Sequence, residues 1–147
     1  VGSSEAFCSG GGIAQIAQRE IMRRFQLGEK VGFCPSYTDI PEITTRDVGE
    51  AAKNGDPLAA EILAISGTYL GKALSILMDL FNPERIVIGS VFARLKGFIL
   101  PSALAVIAKE VLPVCRESCE IVPAALGESI GDVAALSIAI EGVKRHG

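Results

Sequence analysis

The stretch LMDLFNPERIVIGSVF, which spans residues 77–92, decides the fold class. Its first residues continue a long apolar helix, and Asn82 and Pro83 end that helix because proline disfavours a helical conformation at the residue before it. Residues 85–89 are a short β-branched run that is typical of a fully buried strand. A helix that breaks into such a strand predicts an α/β fold.

The helix before this break is predicted to cover residues 58–81, with Asp56 as its N-cap and Pro57 at its first position. Its polar residues fall in one narrow stripe, so the helix must be packed on most of its other sides. Gly67 and Gly71 lie four residues apart and allow a neighbouring backbone to approach closely. The stripe comprises Glu61, Thr68, Lys72, Ser75 and Asp79.

The upstream residues predict two further helices joined by a loop. Residues 12–25 have apolar side chains at helical spacing, with polar side chains between them. Residues 29–43 contain glycine and two prolines without a period, which predicts an irregular loop of the kind that often serves as a lid. Thr45 is the predicted N-cap of a short helix that runs through Ala52.

The downstream residues predict a second strand between two helices. A helix around residues 98–111 is interrupted at its start by Pro101, residues 120–122 form a second short strand, and Asp132 caps a last helix over residues 133–141. A two-stranded parallel sheet is a poor unit by itself, because parallel strands are normally covered on both faces and paired on both edges. The pattern therefore predicts one helix-rich α/β domain, residues 1–147, that is part of a larger unit.

Composition and charge argue against several classes of protein. The 147 residues are 49% hydrophobic, with a formal net charge of -3 and no basic run longer than Lys144 and Arg145, so we expect no direct contact of this chain with nucleic acid. Charges interrupt the most apolar stretch and no secretory signal pattern is present, which favours a cytoplasmic protein that does not span a membrane. The four cysteines lack CxxC spacing and the one histidine is His146, so neither a metal site nor a catalytic residue is predicted.

The end of the first predicted strand is the candidate binding site. Ligands of doubly wound sheets bind beyond the carboxyl ends of parallel strands, where glycine lets a ligand approach the backbone. Gly89 and Ser90 occupy such an end. The alternative is a tight turn from strand to helix, which would need glycine only for its backbone angles.

Four segments in register resemble the ROK family of sugar kinases and sugar-responsive repressors. They are GSSEAFCSG at residues 2–10, EAAKNGDPLAAEIL at 50–63, LMDLFNPERIVIGSVF at 77–92 and ALGESIGDVAAL at 125–136. The resemblance covers essentially the whole chain and is to the C-terminal portion of glucokinase-like members. It implies the C-terminal lobe of an actin-like, ribonuclease H-like ATPase domain with a short parallel sheet.

The resemblance also implies roles for individual residues. The glutamate that closes the zinc signature of the family contacts sugar hydroxyls, and its match here is Glu5; a carboxylate suits this task because it accepts two hydroxyl hydrogen bonds. The nucleotide-binding turn of the family falls on Gly89, Ser90 and Val91, with Ser90 in place of a second glycine. Ser3 stands where the family has its last zinc-binding cysteine, and a hydroxyl is a poor zinc ligand, so structural zinc is doubtful.

The favoured hypothesis is the C-terminal lobe of an ATP-dependent hexose or amino-sugar kinase that uses ATP with Mg. The chain alone is expected to be inactive, because the phosphate-binding loops and the catalytic aspartate of the family would precede residue 1. The alternative is the effector-binding and dimerisation part of a sugar-responsive ROK transcriptional repressor, and a third possibility is a module that pairs subunits. The expected partners are a sugar, a nucleotide in the intact protein, and a second copy of the chain in a homodimer.

Overall fold

The computed structural model describes residues 5–89, 91–125 and 135–138. Helices dominate this part of the chain, with two short strands in its second half. The elements are, in order, α1 (Glu5–Cys8), α2 (Gly10–Gln26), a 3-10 helix (Tyr37–Glu42), α3 (Thr45–Lys53), α4 (Pro57–Phe81), β1 (Arg85–Ile88), α5 (Val91–Glu110), α6 (Pro113–Ser118) and β2 (Glu120–Pro123). Residues 135–138 are also helical, whereas Asp132 and most of the predicted last helix lie outside the described residues.

Strands β1 and β2 pair in parallel, which confirms the predicted short parallel sheet. Arg85 lies opposite Glu120 at the start of the register, and their side chains form an ion pair at 2.8 Å. The prediction that the first strand is fully buried is wrong, because Arg85 and Val87 are exposed while Ile86 and Ile88 contact the core. The physical reason is that side chains of a strand alternate in direction, and the described helices cover only one face of this sheet.

Helices α4 and α5 pack against each other along their lengths. Gly67 lies against the carbonyl group of Ile99 and Gly71 lies against that of Ala103, which confirms the predicted close approach of a neighbouring backbone. The prediction that α4 is covered on most sides holds only for its first two thirds. The apolar side chains that its last turns leave exposed are Ile76, Leu77, Leu80 and Phe81.

Ser75 and Asp79, at the end of the predicted polar stripe of α4, make hydrogen bonds within the fold. Ser75 is buried, and its hydroxyl donates to the carbonyl oxygen of Gly71 at 2.8 Å. The Asp79 carboxylate accepts a hydrogen bond from the backbone N–H of Leu112 at 3.1 Å, just before α6 begins. The stripe is therefore only partly a solvent-facing surface.

Helix α5 begins earlier than predicted and contains the proline that was expected to interrupt it. Leu95 has non-helical backbone angles (φ −115°, ψ 16°), so the helix is kinked there and residues 91–94 form a separate first turn. Pro101 lies beyond the kink, where its missing N–H leaves the carbonyl of the exposed Gly97 without its helical partner. An exposed carbonyl can be solvated, which explains why the helix continues through the proline.

The predicted loop between α2 and α3 is more ordered than expected. It contains the 3-10 helix Tyr37–Glu42, and Ile40 and Ile43 are buried. The Gln18 side chain on α2 donates to the carbonyl oxygens of Pro41 and Ile43 at 3.2 and 3.3 Å. These hydrogen bonds fix the end of the loop against α2.

The N-cap of α3 is Thr44, not the predicted Thr45. The Thr44 hydroxyl accepts from the backbone N–H of Asp47, and the Asp47 carboxylate accepts from the backbone N–H of Thr44 at 2.8 Å, which forms a capping box. Thr45 instead donates its hydroxyl to the carbonyl oxygen of Gly10 and so connects α3 to α2. Two adjacent threonines offer the same hydroxyl, but only Thr44 has a carboxylate three residues later, that of Asp47, to complete the capping box.

The buried apolar residues form two clusters along α4. The first lies between α2, α3, the first half of α4 and the first half of α5, and the second lies between the end of α4, the end of α5 and α6. By length and composition alone, α4 and α5 would be long and apolar enough to span a membrane. Core helices of soluble proteins meet the same criterion, and these two helices form the core of the described chain.

Candidate functional site

Glu5, the predicted sugar contact, is the first residue of α1 and is exposed. Two side chains of α4 hold α1 in place. The Ser66 hydroxyl donates to the carbonyl oxygen of Phe7 at 2.8 Å, and the rings of Tyr69 and Phe7 stack with their centroids 3.8 Å apart. An exposed carboxylate on a fixed helix is able to accept hydrogen bonds from the hydroxyl groups of a sugar.

The predicted nucleotide-binding turn lies at the carboxyl end of β1. Gly89 is half-buried and Val91 is buried at the first position of α5, whereas Ser90 lies outside the described residues. Gly89 does not have a positive φ, and a β-carbon added to it would lie in ordinary contact, 3.7 Å, with Ala124. Backbone angles therefore do not require glycine at this position, which weakens the explanation of Gly89 as a purely structural turn residue.

An apolar cavity of about 220 Å³ separates this turn from the segment that follows Glu5. A β-carbon added to Gly10 would lie 3.7 Å from a methyl group of Val91, so the two segments nearly touch. The structure thus places Gly89 and Val91 beside the junction of α1 and α2, although Glu5 itself does not line the cavity. The residues around the cavity are Cys8, Ser9, Gly10, Ser66, Leu70, Ile88, Gly89, Val91, Phe92 and Ile99.

Cys8 is the reactive residue type in this cavity, but its surroundings keep the thiol protonated. Burial raises the pKa of the Cys8 thiol above its ordinary value, and the thiol donates a hydrogen bond to the carbonyl oxygen of Ser66 at 3.8 Å. Because the thiolate is the nucleophile and the metal ligand, a thiol with a raised pKa suits neither role at neutral pH. Cys8 is therefore a packing residue.

A second, more polar cavity of about 400 Å³ lies between α3 and the first turns of α5. Val91 and Leu95 supply apolar walls, and the Leu95 side chain lies against Gly49. The charged residues around the cavity are Arg46, Glu50, Lys53 and Arg94. Since three of these four are basic, the cavity can accommodate an anionic group beside an apolar one.

Sequence reasoning missed the basic residues of this second cavity. Arg46, Glu50 and Lys53 lie four and three residues apart, which places them on one side of α3. Arg46 and Glu50 form an exposed ion pair at 3.0 Å. That spacing could have indicated a charged helix face, but nothing in the sequence shows that α5 lies opposite.

Within residues 5–89, 91–125 and 135–138, no group of three or more His, Cys, Asp and Glu side chains is arranged to hold a metal ion. Ser3, which stands at the position of a zinc-binding cysteine in the resemblance, lies outside these ranges.

The sequence profile of the ROK family matches residues 1–141. The N-acetylglucosamine repressor of Escherichia coli O6:H1 is 31% identical over 87 residues, which are 59% of this chain and 21% of the repressor. A glucokinase from Halalkalibacterium halodurans is 28% identical over 130 residues, which are 88% of this chain and 38% of the glucokinase. The chain thus spans about a fifth to two fifths of the length of these relatives.

Solved structures of ROK proteins also resemble this chain. The crystal structure of a ROK family transcriptional regulator, a homolog of the E. coli MLC protein, is 34% identical and superposes with a TM-score of 0.66, over 83% of this chain and 29% of that one. The crystal structure of a ROK family glucokinase from Streptomyces griseus, which has the actin-like fold, is 20% identical and superposes with a TM-score of 0.69, over 87% of this chain and 41% of that one. The fold expected from the four sequence segments is therefore confirmed, and the chain belongs to the ROK family.

Proposed function

We propose that this chain is the C-terminal lobe of a cytoplasmic, sugar-responsive ROK transcriptional regulator, in which it binds the sugar effector. The observation that carries the proposal is the 34% identity to a ROK regulator of known structure over 83% of the chain, against 28% identity to the glucokinase relative. The part of such a regulator that reads DNA would lie outside this chain, because the chain has a net charge of -3 and no basic run longer than Lys144 and Arg145.

In this proposal Glu5 binds the sugar. Both oxygens of its exposed carboxylate can accept hydrogen bonds from neighbouring sugar hydroxyls, and the attachment of α1 to α4 holds the carboxylate in one place. The names of the relatives make N-acetylglucosamine and glucose the first sugars to test.

The second candidate is a sugar kinase, and the polar cavity between α3 and α5 favours it. Val91 and Leu95 would contact a nucleotide base, while Arg46 and Lys53 would attract its phosphates. ATP would bring Mg with it, and phosphoryl transfer would need loops and an aspartate outside this chain, so the chain alone should release no ADP. The kinase stands second because Ser90 adds a side chain at a turn where the family has glycine.

The two candidates differ in their response to a nucleotide. The experiment uses the longer protein, by which we mean the full-length regulator or kinase of which this chain would be the C-terminal lobe. It is titrated calorimetrically with N-acetylglucosamine and with glucose, with and without AMPPNP and Mg²⁺. Sugar-dependent ADP release is measured in parallel with ATP as the nucleotide. The regulator predicts sugar binding without ADP release, and a change in affinity for DNA from the region upstream of its own gene when sugar is added. Sugar-dependent ADP release above that of a mock purification would establish the kinase, and no binding of either sugar would contradict both candidates.

A further inference from the structure

Glu5 lies on a helix that is too short to keep its own shape, and we propose that Ser66 and Tyr69 of α4 are the positioning residues that fix it. Helix α1 contains four residues, far fewer than the roughly 12 that an isolated helix needs to be even marginally stable in water. Its orientation must therefore come from contacts with the rest of the chain. This inference rests on the proposed function, in which Glu5 contacts the sugar.

Ser66 connects α4 to α1 through two hydrogen bonds. Ser66 is 1% exposed, and its hydroxyl donates to the carbonyl oxygen of Phe7 at 2.8 Å. The carbonyl oxygen of Ser66 in turn accepts from the Cys8 thiol at 3.8 Å. Because the last carbonyls of a helix have no partner within it, a buried donor at Phe7 fixes the end of α1 in one orientation.

Tyr69 holds the same helix from its solvent side. The Tyr69 and Phe7 rings are stacked with their centroids 3.8 Å apart and their planes at 17°. The Lys72 ammonium lies 5.7 Å from the centroid of the Tyr69 ring. Tyr69 is 37% exposed, so the stack lies at the edge of the core, where it limits the motion of a residue two positions after Glu5.

If Ser66 only stabilised the fold, its removal would affect sugar affinity no more than the removal of another buried serine of α4. Ser75 is such a serine. Ser75 is on the same helix, is 4% exposed, and its hydroxyl also donates at 2.8 Å, but to Gly71 of its own helix. Removal of the Ser66 hydroxyl takes away the donor to the Phe7 carbonyl, whereas the Gly71 carbonyl keeps its helical donor, the backbone N–H of Ser75, so the loss of stability should be the smaller at Ser75. Of these two serines, only Ser66 hydrogen-bonds to α1. A loss of sugar affinity in Ser66→Ala that is absent from Ser75→Ala is therefore a positioning effect.

The test measures the affinity of the longer protein for N-acetylglucosamine and glucose by calorimetry. The variants are Ser66→Ala with Ser75→Ala as its control, and Tyr69→Leu with Tyr69→Phe as its control, each with and without Glu5→Gln. We expect Ser66→Ala and Tyr69→Leu each to weaken binding about fivefold, the effect of one lost hydrogen bond in the first variant and of one lost ring stack in the second. The two controls should stay within about twofold of the unaltered protein. In the Glu5→Gln background neither substitution should weaken binding further, because the positioned group is already altered.

The possible outcomes separate this inference from the proposed function. If Glu5→Gln weakens binding while Ser66→Ala and Tyr69→Leu match their controls, the positioning role is wrong and the proposed function stands. If Glu5→Gln leaves the affinity unchanged, Glu5 is not the sugar contact, and the role of Glu5 in the proposed function and the positioning role are both wrong. Tyr69 is partly exposed, so Tyr69→Leu keeps the test decisive even where Ser66→Ala lowers the yield of folded protein.

Discussion

Gly71 of α4 lies directly against the backbone of Ala103 of α5. A β-carbon added to Gly71 would be 2.6 Å from the Ala103 carbonyl oxygen and 2.9 Å from its Cα. Backbone atoms within a helix cannot rotate away as the end of a side chain can, so this contact sets the distance between the two longest helices.

Gly71→Ala should therefore destabilise the fold although alanine is the better helix former. We expect the free energy of unfolding in urea to fall by about 1–3 kcal/mol, the usual cost of overpacking a core. Gly97→Ala is the matched control, since Gly97 also lies within a helix and has no atom within 4 Å of an added β-carbon. The control should gain up to about 1 kcal/mol from helix propensity. Equal effects of the two substitutions would show that the helices do not approach as closely as described.

The capping box of α3 makes the stability of the fold depend on pH. The hydrogen bond from the Thr44 hydroxyl, followed by that from the Thr44 backbone, lowers the pKa of Asp47 below its ordinary value of 3.8. Because the pKa of Asp47 is lower in the folded than in the unfolded state, its ionised carboxylate stabilises the fold at pH values above the unfolded-state pKa. This contribution is lost as the pH falls through the folded-state pKa.

Asp47→Asn should accordingly lower the free energy of unfolding by about 1 kcal/mol at pH 7. The difference between the two proteins should stay constant down to about pH 5 and shrink below about pH 4. Urea denaturation at several pH values measures it, with Glu42→Gln, at an exposed position, as the control. A difference that grows as the pH falls would contradict the assigned direction of the pKa shift.

The exposed apolar end of α4 leads us to expect self-association. Ile76, Leu80 and Phe81 are 61%, 69% and 71% exposed in the described chain, and contiguous apolar surface of this kind is uncommon on soluble monomers. A two-fold homodimer is the simplest arrangement that would cover this surface.

Sedimentation equilibrium should show a dimer over a wide range of concentrations, and Leu80→Lys should shift it toward the monomer. Leu27→Lys is the control, because Leu27 is 63% exposed but lies at the end of α2. A single species at 15.4 kDa at every concentration would show that the chain does not self-associate.

Local sequence patterns were sufficient for most of the fold. The Asp56 cap with Pro57 and the break at Asn82 depend on residues close in sequence, and the structure confirms both. The burial of β1 depends on which faces distant helices cover, and the sequence does not contain that information in a local form. The prediction for Pro101 was also wrong, because the helix continues through this proline and the kink lies six residues earlier, at Leu95.

The candidate site was less predictable than the fold. Glu5 and the turn after β1 could be singled out because they occur within recognisable segments. The polar cavity could not, because its walls come from α3 and from the start of α5, roughly forty residues apart in sequence. The attachment of α1 through Ser66 joins residues 59 positions apart, and no pattern in the sequence indicates such a pair.

The central claim is that Glu5 binds a sugar, and the affinity of a Glu5→Gln variant of the longer protein tests it most directly. The substitution keeps the shape of the side chain and removes its charge, so calorimetric titration with N-acetylglucosamine and glucose should show binding weakened about tenfold or more, the effect of a lost charged hydrogen bond. Glu117→Gln, at an exposed position of α6, should bind as the unaltered protein does. An affinity that is the same in the Glu5→Gln variant and the unaltered protein would contradict the account.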